Sequence, residues 1–581
     1  MQTETKEILK KRIDIAMGKI PADLVIKNCK VVDVYTGRIL EGDIAISDGL
    51  IAGIGEYNGR EEVDAKKAYA APGFIDSHIH IESAYVSPEE IGRLVIPHGT
   101  TTIVADPHEI VNVSGLTGME YMIDASKKTA LDIKYMLPSC VPATPFENAG
   151  AIVEAEDMSD MLKEDAVLGL GEFMNFPGII EAHDPVLNKL VAAYQENKLI
   201  DGHSPGLEGN ALNAYASARI HTDHECSTVE EMLDRLSRGM YVLMREGSAC
   251  HDLRNLLKAV TSTNSRRCLL CSDDRQPKTI FEQGHIDGHL RICREEGIDA
   301  ITAIQMASLN AAECFHLFDR GAIAPGLRAD IVLLEDLEKF QVQKVWIEGE
   351  LVAQEGRYLL PIEKQDISSV KGKICVKDFS KERLKLQLKS NRVHVIDILP
   401  GGVVTGKGIA QVQLDQDGNF LYNPEEDIVK IAVIERHHGT GNVAVALLRG
   451  YGIKKGAVAL TVAHDSHNII AVGVTDEDME FAVQQLIAQN GGFIIVHEGK
   501  VLASMPMPIA GLMSDQSGEW VDEKLTQLHE IAHRELEISR DVEPMMTLCF
   551  MSLPVIPELK LTDIGLFDVN TFQFISVEAD A

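Results

Sequence analysis

Two histidines one residue apart, His78 and His80, close an apolar run reading Pro72-Gly73-Phe74-Ile75-Asp76-Ser77-His78-Ile79-His80. Successive side chains of a β-strand point to opposite faces, so both imidazoles project to the same side. Two imidazoles at a strand's C-terminal end can grip one divalent cation from two directions. Similar endings recur. Val167-Leu168-Gly169-Leu170-Gly171 closes in Glu172, Asp201-Gly202 in His203, His221-Thr222-Asp223 in His224 and Ser272 in Asp273. Taken singly, each is an ordinary polar residue at a strand end. Together His78, His80, Glu172, His203, His224 and Asp273 are four imidazoles and two carboxylates, enough for two divalent ions with Glu172 as an anionic bridge and a hydroxide as the second bridge. Mixed nitrogen and oxygen donors suit zinc, iron(II) or manganese and do not choose among them.

Positioning six such groups requires strands whose C-terminal ends converge. Short apolar runs at 73–78, 101–105, 133–137, 167–172, 198–202, 220–223, 241–245 and 268–272 alternate with longer helical stretches. Eight strands in about 250 residues fit a TIM-like (β/α)8 barrel, whose active site lies where the candidate ligands fall. A doubly wound open sheet gives the same alternation, but the Gly-rich phosphate loop of that fold is missing. The expected class is α/β, with the barrel over 71–325 inserted in a small β-sandwich. Turn-punctuated strands over 1–70 supply one half of that sandwich, and a similar texture over 326–362 the other. A charged linker over 363–394 leads to a C-terminal α+β domain over 395–581.

Composition narrows the partners. A chain of 581 residues, 45% hydrophobic and 25% charged, has the balance of a globular protein with several domains. Its net charge of -33 argues against nucleic acid and anionic membrane surfaces. Residues 1–19 are charged and carry no apolar core, so a secretory signal is not expected there. Ten cysteines without a regular frame fit a reducing cytoplasm. Cys268 and Cys271 form a CxxC, but inside an apolar run that reads as a core strand.

The histidine pair on the first strand, the histidines on strands five and six and the aspartate on strand eight resemble the amidohydrolase superfamily. Many binuclear members of that superfamily bridge their metals with a carboxylated lysine on strand four, where this chain has Glu172. A glutamate is anionic without carbon dioxide, which argues against a close hydantoinase or dihydroorotase relationship. Over nearly the whole chain the sequence resembles the bacterial adenine deaminase family. The likeness is carried by Ile81-Glu82-Ser83 after the histidine pair, Ala105-Asp106-Pro107-His108-Glu109, Gly171-Glu172-Phe173-Met174-Asn175, Gly202-His203-Ser204-Pro205, Thr222-Asp223-His224-Glu225 and Met244-Arg245-Glu246-Gly247-Ser248. Glu435-Arg436-His437-His438-Gly439-Thr440-Gly441 and Ala463-His464-Asp465-Ser466-His467-Asn468 add the family's C-terminal region.

The resemblance implies hydrolytic deamination of adenine to hypoxanthine and ammonia by a metal-bridging hydroxide, with two divalent ions, manganese or iron(II) ahead of zinc. It also implies a homodimer or higher homo-oligomer and a role in purine salvage. Asp273 is the candidate for moving the proton, with His108 and Glu225 assisting. Glu82, Arg245, Glu246 and Ser248 are candidate purine contacts; Glu82, His108 and Glu225 read equally as groups that orient the ligands. His437, His438, His464 and His467 invite a further-metal reading, against which a surface or interdomain role is preferred. The competing functions are an amidohydrolase acting on a cyclic amide or a different nucleobase, and a non-catalytic barrel scaffold.

Overall fold

The computed structural model describes residues 5–579. Eight parallel strands form the barrel in chain order: β1 (Phe74–Ile79), β2 (Thr100–Ala105), β3 (Asp132–Leu137), β4 (Val167–Phe173), β5 (Leu199–Gly202), β6 (Thr222–Asp223), β7 (Tyr241–Arg245) and β8 (Cys268–Cys271). β1 to β5 make one hydrogen-bonded sheet and β6 to β8 another. The gap between β5 and β6 is spanned by the Gly202 amide donating to the Thr222 hydroxyl at 3.0 Å. Closure falls at the candidate site. The Asp273 amide donates to the His78 carbonyl at 2.9 Å, and the His80 amide to the Asp273 carbonyl at 3.1 Å. β1, β2 and β8 are buried along their full length, as expected of strands covered on one side by helices and filled on the other by the barrel interior. Cys268 and Cys271 belong to that packing, both buried with free thiols.

The chain on either side of the barrel builds one nine-stranded sheet. Tyr69–Pro72, just before β1, pairs antiparallel with Ile331–Leu334, just after the barrel. Ile26, Val31, Ile44 and Trp346 share the core of this sheet, so packing draws on both halves.

The C-terminal domain is an eight-stranded sheet. Helix Asp476–Ala488 packs against it through Met479, Ala482, Val483 and Leu486. That helix begins where the Thr475 side chain accepts the Asp478 amide, with Asp476, Glu477 and Asp478 in its first turn facing the positive end of the helix dipole. The stretch 363–391 lies on this domain rather than spanning free solvent. Val370 and Leu384 are buried, and the Cys375 amide donates to the Arg436 carbonyl at 2.7 Å. The domain also meets the barrel mouth. His438 donates from Nε2 to the Ala149 carbonyl at 2.7 Å, and the Gly518 amide donates to Glu90 at 2.8 Å.

Candidate metal centre

Glu172 stands at the centre of the predicted ligand set. One oxygen, Oε1, lies 3.4 Å from His80 Nε2, and the other, Oε2, lies 2.7 Å from His203 Nδ1 and 3.3 Å from His224 Nε2. Its backbone is fixed by Asp106, whose Oδ2 accepts the Glu172 amide at 2.8 Å. That carboxylate lies where a side chain at position 171 would be, 2.1 Å from a Cβ placed there, so the position requires glycine. Asp273 Oδ1 lies 3.0 Å from His80 Nε2 and 3.9 Å from His78 Nε2. Asp273 sits just past the end of β8 in the left-handed region, at φ 57°, a conformation uncommon outside glycine and concentrated at functional sites.

The protonation pattern of the first-strand histidines is fixed by their outer partners. His78 Nδ1 faces Asp201 Oδ2 at 3.0 Å, and His80 Nδ1 faces the Asp106 carbonyl at 2.8 Å. Both partners only accept, so each Nδ1 carries a hydrogen and each ring directs its Nε2 inward. Those two Nε2 atoms are 3.2 Å apart. Burial opposes charge on His80, but the Asp273 hydrogen bond and the Glu172 charge raise it, so its Nε2 holds a proton that a cation would replace. The carboxylates agree with this. Burial opposes charge on Glu172, but its histidine partners hold it well below the usual carboxylate range. Asp273 is likewise buried and held low by His80 and Arg245. Burial alone would lower His224, and the Glu172 hydrogen bond and charge raise it to about 10. The donor set therefore fits divalent ions, in two overlapping groups that share Glu172, one with His78 and His80 and one with His203 and His224.

Around this core the other predicted residues divide. His108 Nδ1 is 3.2 Å from Glu172 Oε1, and Glu225 Oε1 is 3.5 Å from His224 Nε2. Arg245 donates to Asp273 Oδ2 at 2.9 Å and to Glu225, and it pairs with Asp252 at 3.1 Å. Its guanidinium is occupied by three carboxylates, so here it aims acids rather than presenting a free edge. Glu246 and Ser248 turn elsewhere, Glu246 to His251 at 2.8 Å and Ser248 to Thr279 at 2.7 Å. Glu82 is buried with Oε1 accepting the Ile110 amide at 3.1 Å, and burial pushes its carboxyl up to about 7.

Two orienting groups escaped the sequence reading. Asp201 was visible in Asp201-Gly202-His203, where strand alternation already places it on the side of His203. Asp106 acts through its backbone carbonyl and across strands, which residue type does not announce. The C-terminal histidines also contribute. His464 Nδ1 meets Glu109 Oε1 at 2.5 Å, and His467 Nε2 meets Glu109 Oε2, so of the surface and interdomain roles the pair takes the interdomain one. Asp201→Asn keeps an acceptor for His78 but removes its charge, and metal affinity is expected to fall about 10–100-fold. Equilibrium dialysis against manganese checks this, and unchanged affinity would deny Asp201 the role.

Comparison with known proteins agrees with the geometry. The Amidohydrolase family model matches residues 69–352, and the adenine deaminase C-terminal domain model matches 402–573. The chain is 65% identical over 574 residues to adenine deaminase 2 of Desulfotalea psychrophila, covering 99% of this chain and 100% of that one. It is 53% identical to the adenine deaminase of Ligilactobacillus salivarius, over 99% of this chain and 100% of that one. The adenine deaminase of Nitratidesulfovibrio vulgaris (strain DP4) is 49% identical, over 98% of this chain and 99% of that one. With its barrel and its C-terminal domain both matched by family models and the likeness to these relatives running over full length, the chain belongs to the adenine deaminase family of amidohydrolases.

Proposed function

We infer that this protein hydrolyses adenine to hypoxanthine and ammonia. The observation that carries the reading is the convergence of His78, His80, His203, His224 and Asp273 on Glu172, in a chain so close over its full length to proteins named adenine deaminase. Two divalent ions held by this set supply Lewis acidity, which brings the pKa of water down far enough to give a nucleophile at neutral pH.

The chain's own residues handle the protons. The amino group of adenine leaves poorly until it is protonated, so a shuttle must take a proton from the attacking water and deliver it to the departing side. Asp273 is placed for this, ionised between Arg245 and His80 at the edge of the ligand cluster. Arg245 fixes its outer oxygen and so leaves the inner one, Oδ1, facing the ligand cluster. His108, which lies against Glu172, and Glu225, which lies against His224, assist. As water adds at ring carbon six, the bond from that carbon to the exocyclic nitrogen breaks and ammonia departs.

The reading extends to manganese or iron(II) ahead of zinc, a preference that rests on the family likeness, since imidazole and carboxylate donors suit all three. It extends also to a homodimer or larger homo-oligomer, a cytoplasmic location and a role in purine salvage. No helix among the described residues is long and apolar enough to cross a membrane. A substrate panel tests the assignment: adenine, adenosine, guanine and cytosine followed by ammonia release, and a dihydropyrimidine followed by ring opening. Turnover of adenine well above the rest is expected. Activity confined to the cyclic amide would replace this reading with a different amidohydrolase.

A further inference from the structure

Between the barrel mouth and the C-terminal domain lies a narrow cleft lined by Glu82, Ser83, Tyr85 and Glu109 on the barrel side and by Val462, His464, His467 and Leu512 on the other. Three observations point to a ligand there. The buried Glu82 Oε2 has no hydrogen-bond partner among the described residues. Buried carboxylate oxygens are rarely left so, and such an atom marks where a polar group from elsewhere belongs. Second, Glu109 is clamped between two histidines of the C-terminal domain in a defined way. The Ala463 amide donates to His467 Nδ1 at 3.0 Å, so His467 carries its hydrogen on Nε2 and gives it to Glu109. Third, His464 gives Glu109 its Nδ1 hydrogen, while its Nε2 has no partner among the described residues.

Glu109, His464 and His467 also have the donor count of a third metal site. The His467 tautomer opposes that use, because a ring whose Nδ1 accepts a backbone amide holds its proton on the nitrogen the metal would need. The hydrogen-bonded arrangement is instead that of an oriented imidazole, in which a carboxylate fixes one ring nitrogen and leaves the other to act. Burial alone would lower His464, yet the charge and hydrogen bond of Glu109 raise it to about 9, so Nε2 is a donor at neutral pH. A chain of contacts joins it to the centre: Glu109 Oε1 lies 3.3 Å from His108 Nε2, and His108 Nδ1 lies 3.2 Å from Glu172 Oε1.

We propose that His464 completes the active site from the C-terminal domain, its Nε2–H donating to a ring nitrogen of the bound nucleobase while Glu109 serves as the positioning residue that aims it. The proposal rests on the adenine reading above. The cleft is small, about 20 Å³, so at most the edge of a planar base enters it. Val462 and Leu512 form its apolar walls, and the free oxygen of Glu82 gives a second polar contact on the barrel side.

Steady-state kinetics on the metal-loaded enzyme test this. For His464→Ala, kcat/KM for adenine is expected to fall about 100-fold, the loss typical of one oriented donor. Metal content and Tm should stay at wild-type values, and added imidazole should restore part of the activity. His464→Gln, which keeps a donor of similar reach, should fall less. Glu109→Gln should resemble His464→Ala, and the double variant should be no worse than either, since both remove the same contact. Wild-type kcat/KM in His464→Ala would overturn the proposal. A third equivalent of metal that His464→Ala loses would also overturn it. An enzyme inactive on adenine before any substitution would instead defeat the functional reading on which the proposal rests.

Discussion

Asp273→Asn is expected to lower adenine turnover by about 1000-fold, within the span usual for a positioned acid or base, while leaving close to two equivalents of metal bound. One oxygen of Asp273 lies 3.0 Å from His80 Nε2, and the other is held by Arg245 at 2.9 Å. An amide in that place preserves the size of the side chain and one oxygen donor, so the ligand cluster survives. It removes the only charge in the group that accepts a proton. The backbone cost of the left-handed conformation is also unchanged, because asparagine tolerates φ 57° as well as aspartate does. Metal analysis beside kinetics separates the two roles. An inactive enzyme that has also lost its metal would make Asp273 chiefly a ligand, and a fully active one would remove it from the chemistry.

Glu172→Ala is the second large effect, and it acts on the metals themselves. Glu172 lies within 3.4 Å of His80, His203 and His224, so its carboxylate is the common anion of both donor groups. Without it the two groups no longer share a ligand, and four imidazoles remain to hold two dications with Asp273 alone to offset their charge. Metal content is expected to drop from about two equivalents to one or fewer, and adenine turnover by on the order of 1000-fold or more, the several kcal/mol that Lewis-acid catalysis contributes. Glu172→Gln separates charge from shape and should lie between alanine and wild type. Two tightly bound equivalents in the alanine variant would show that the bridge lies elsewhere.

Much of this site was legible because a parallel barrel converts position along a strand into position in space. His78, His80, Glu172, His203, His224 and Asp273 each end an apolar run, and the fold gathers such ends on one face. The groups that were not legible act through backbone or across domains. Asp106 takes the His80 proton on its carbonyl, and no side-chain pattern marks a carbonyl. Glu109 meets His464 and His467 across more than 350 residues of sequence, a pairing set by how the C-terminal domain docks. Arg245 was recognisable as a polar residue closing β7, but only the structure places it among Glu225, Asp252 and Asp273. Glu246 and Ser248 followed from the same strand end by proximity, and chain direction beyond β7 carries them toward His251 and Thr279.

Deamination of adenine by a glutamate-bridged pair of divalent ions in this barrel is the central claim. Its most direct test strips the purified protein of metal, reloads it separately with manganese, iron(II) and zinc, and follows the conversion of adenine to hypoxanthine with matched release of ammonia. No turnover is expected of the stripped protein, and turnover should return near two equivalents, with manganese or iron(II) above zinc. Turnover by the stripped protein, or two tightly bound ions with adenine left untouched, would contradict it.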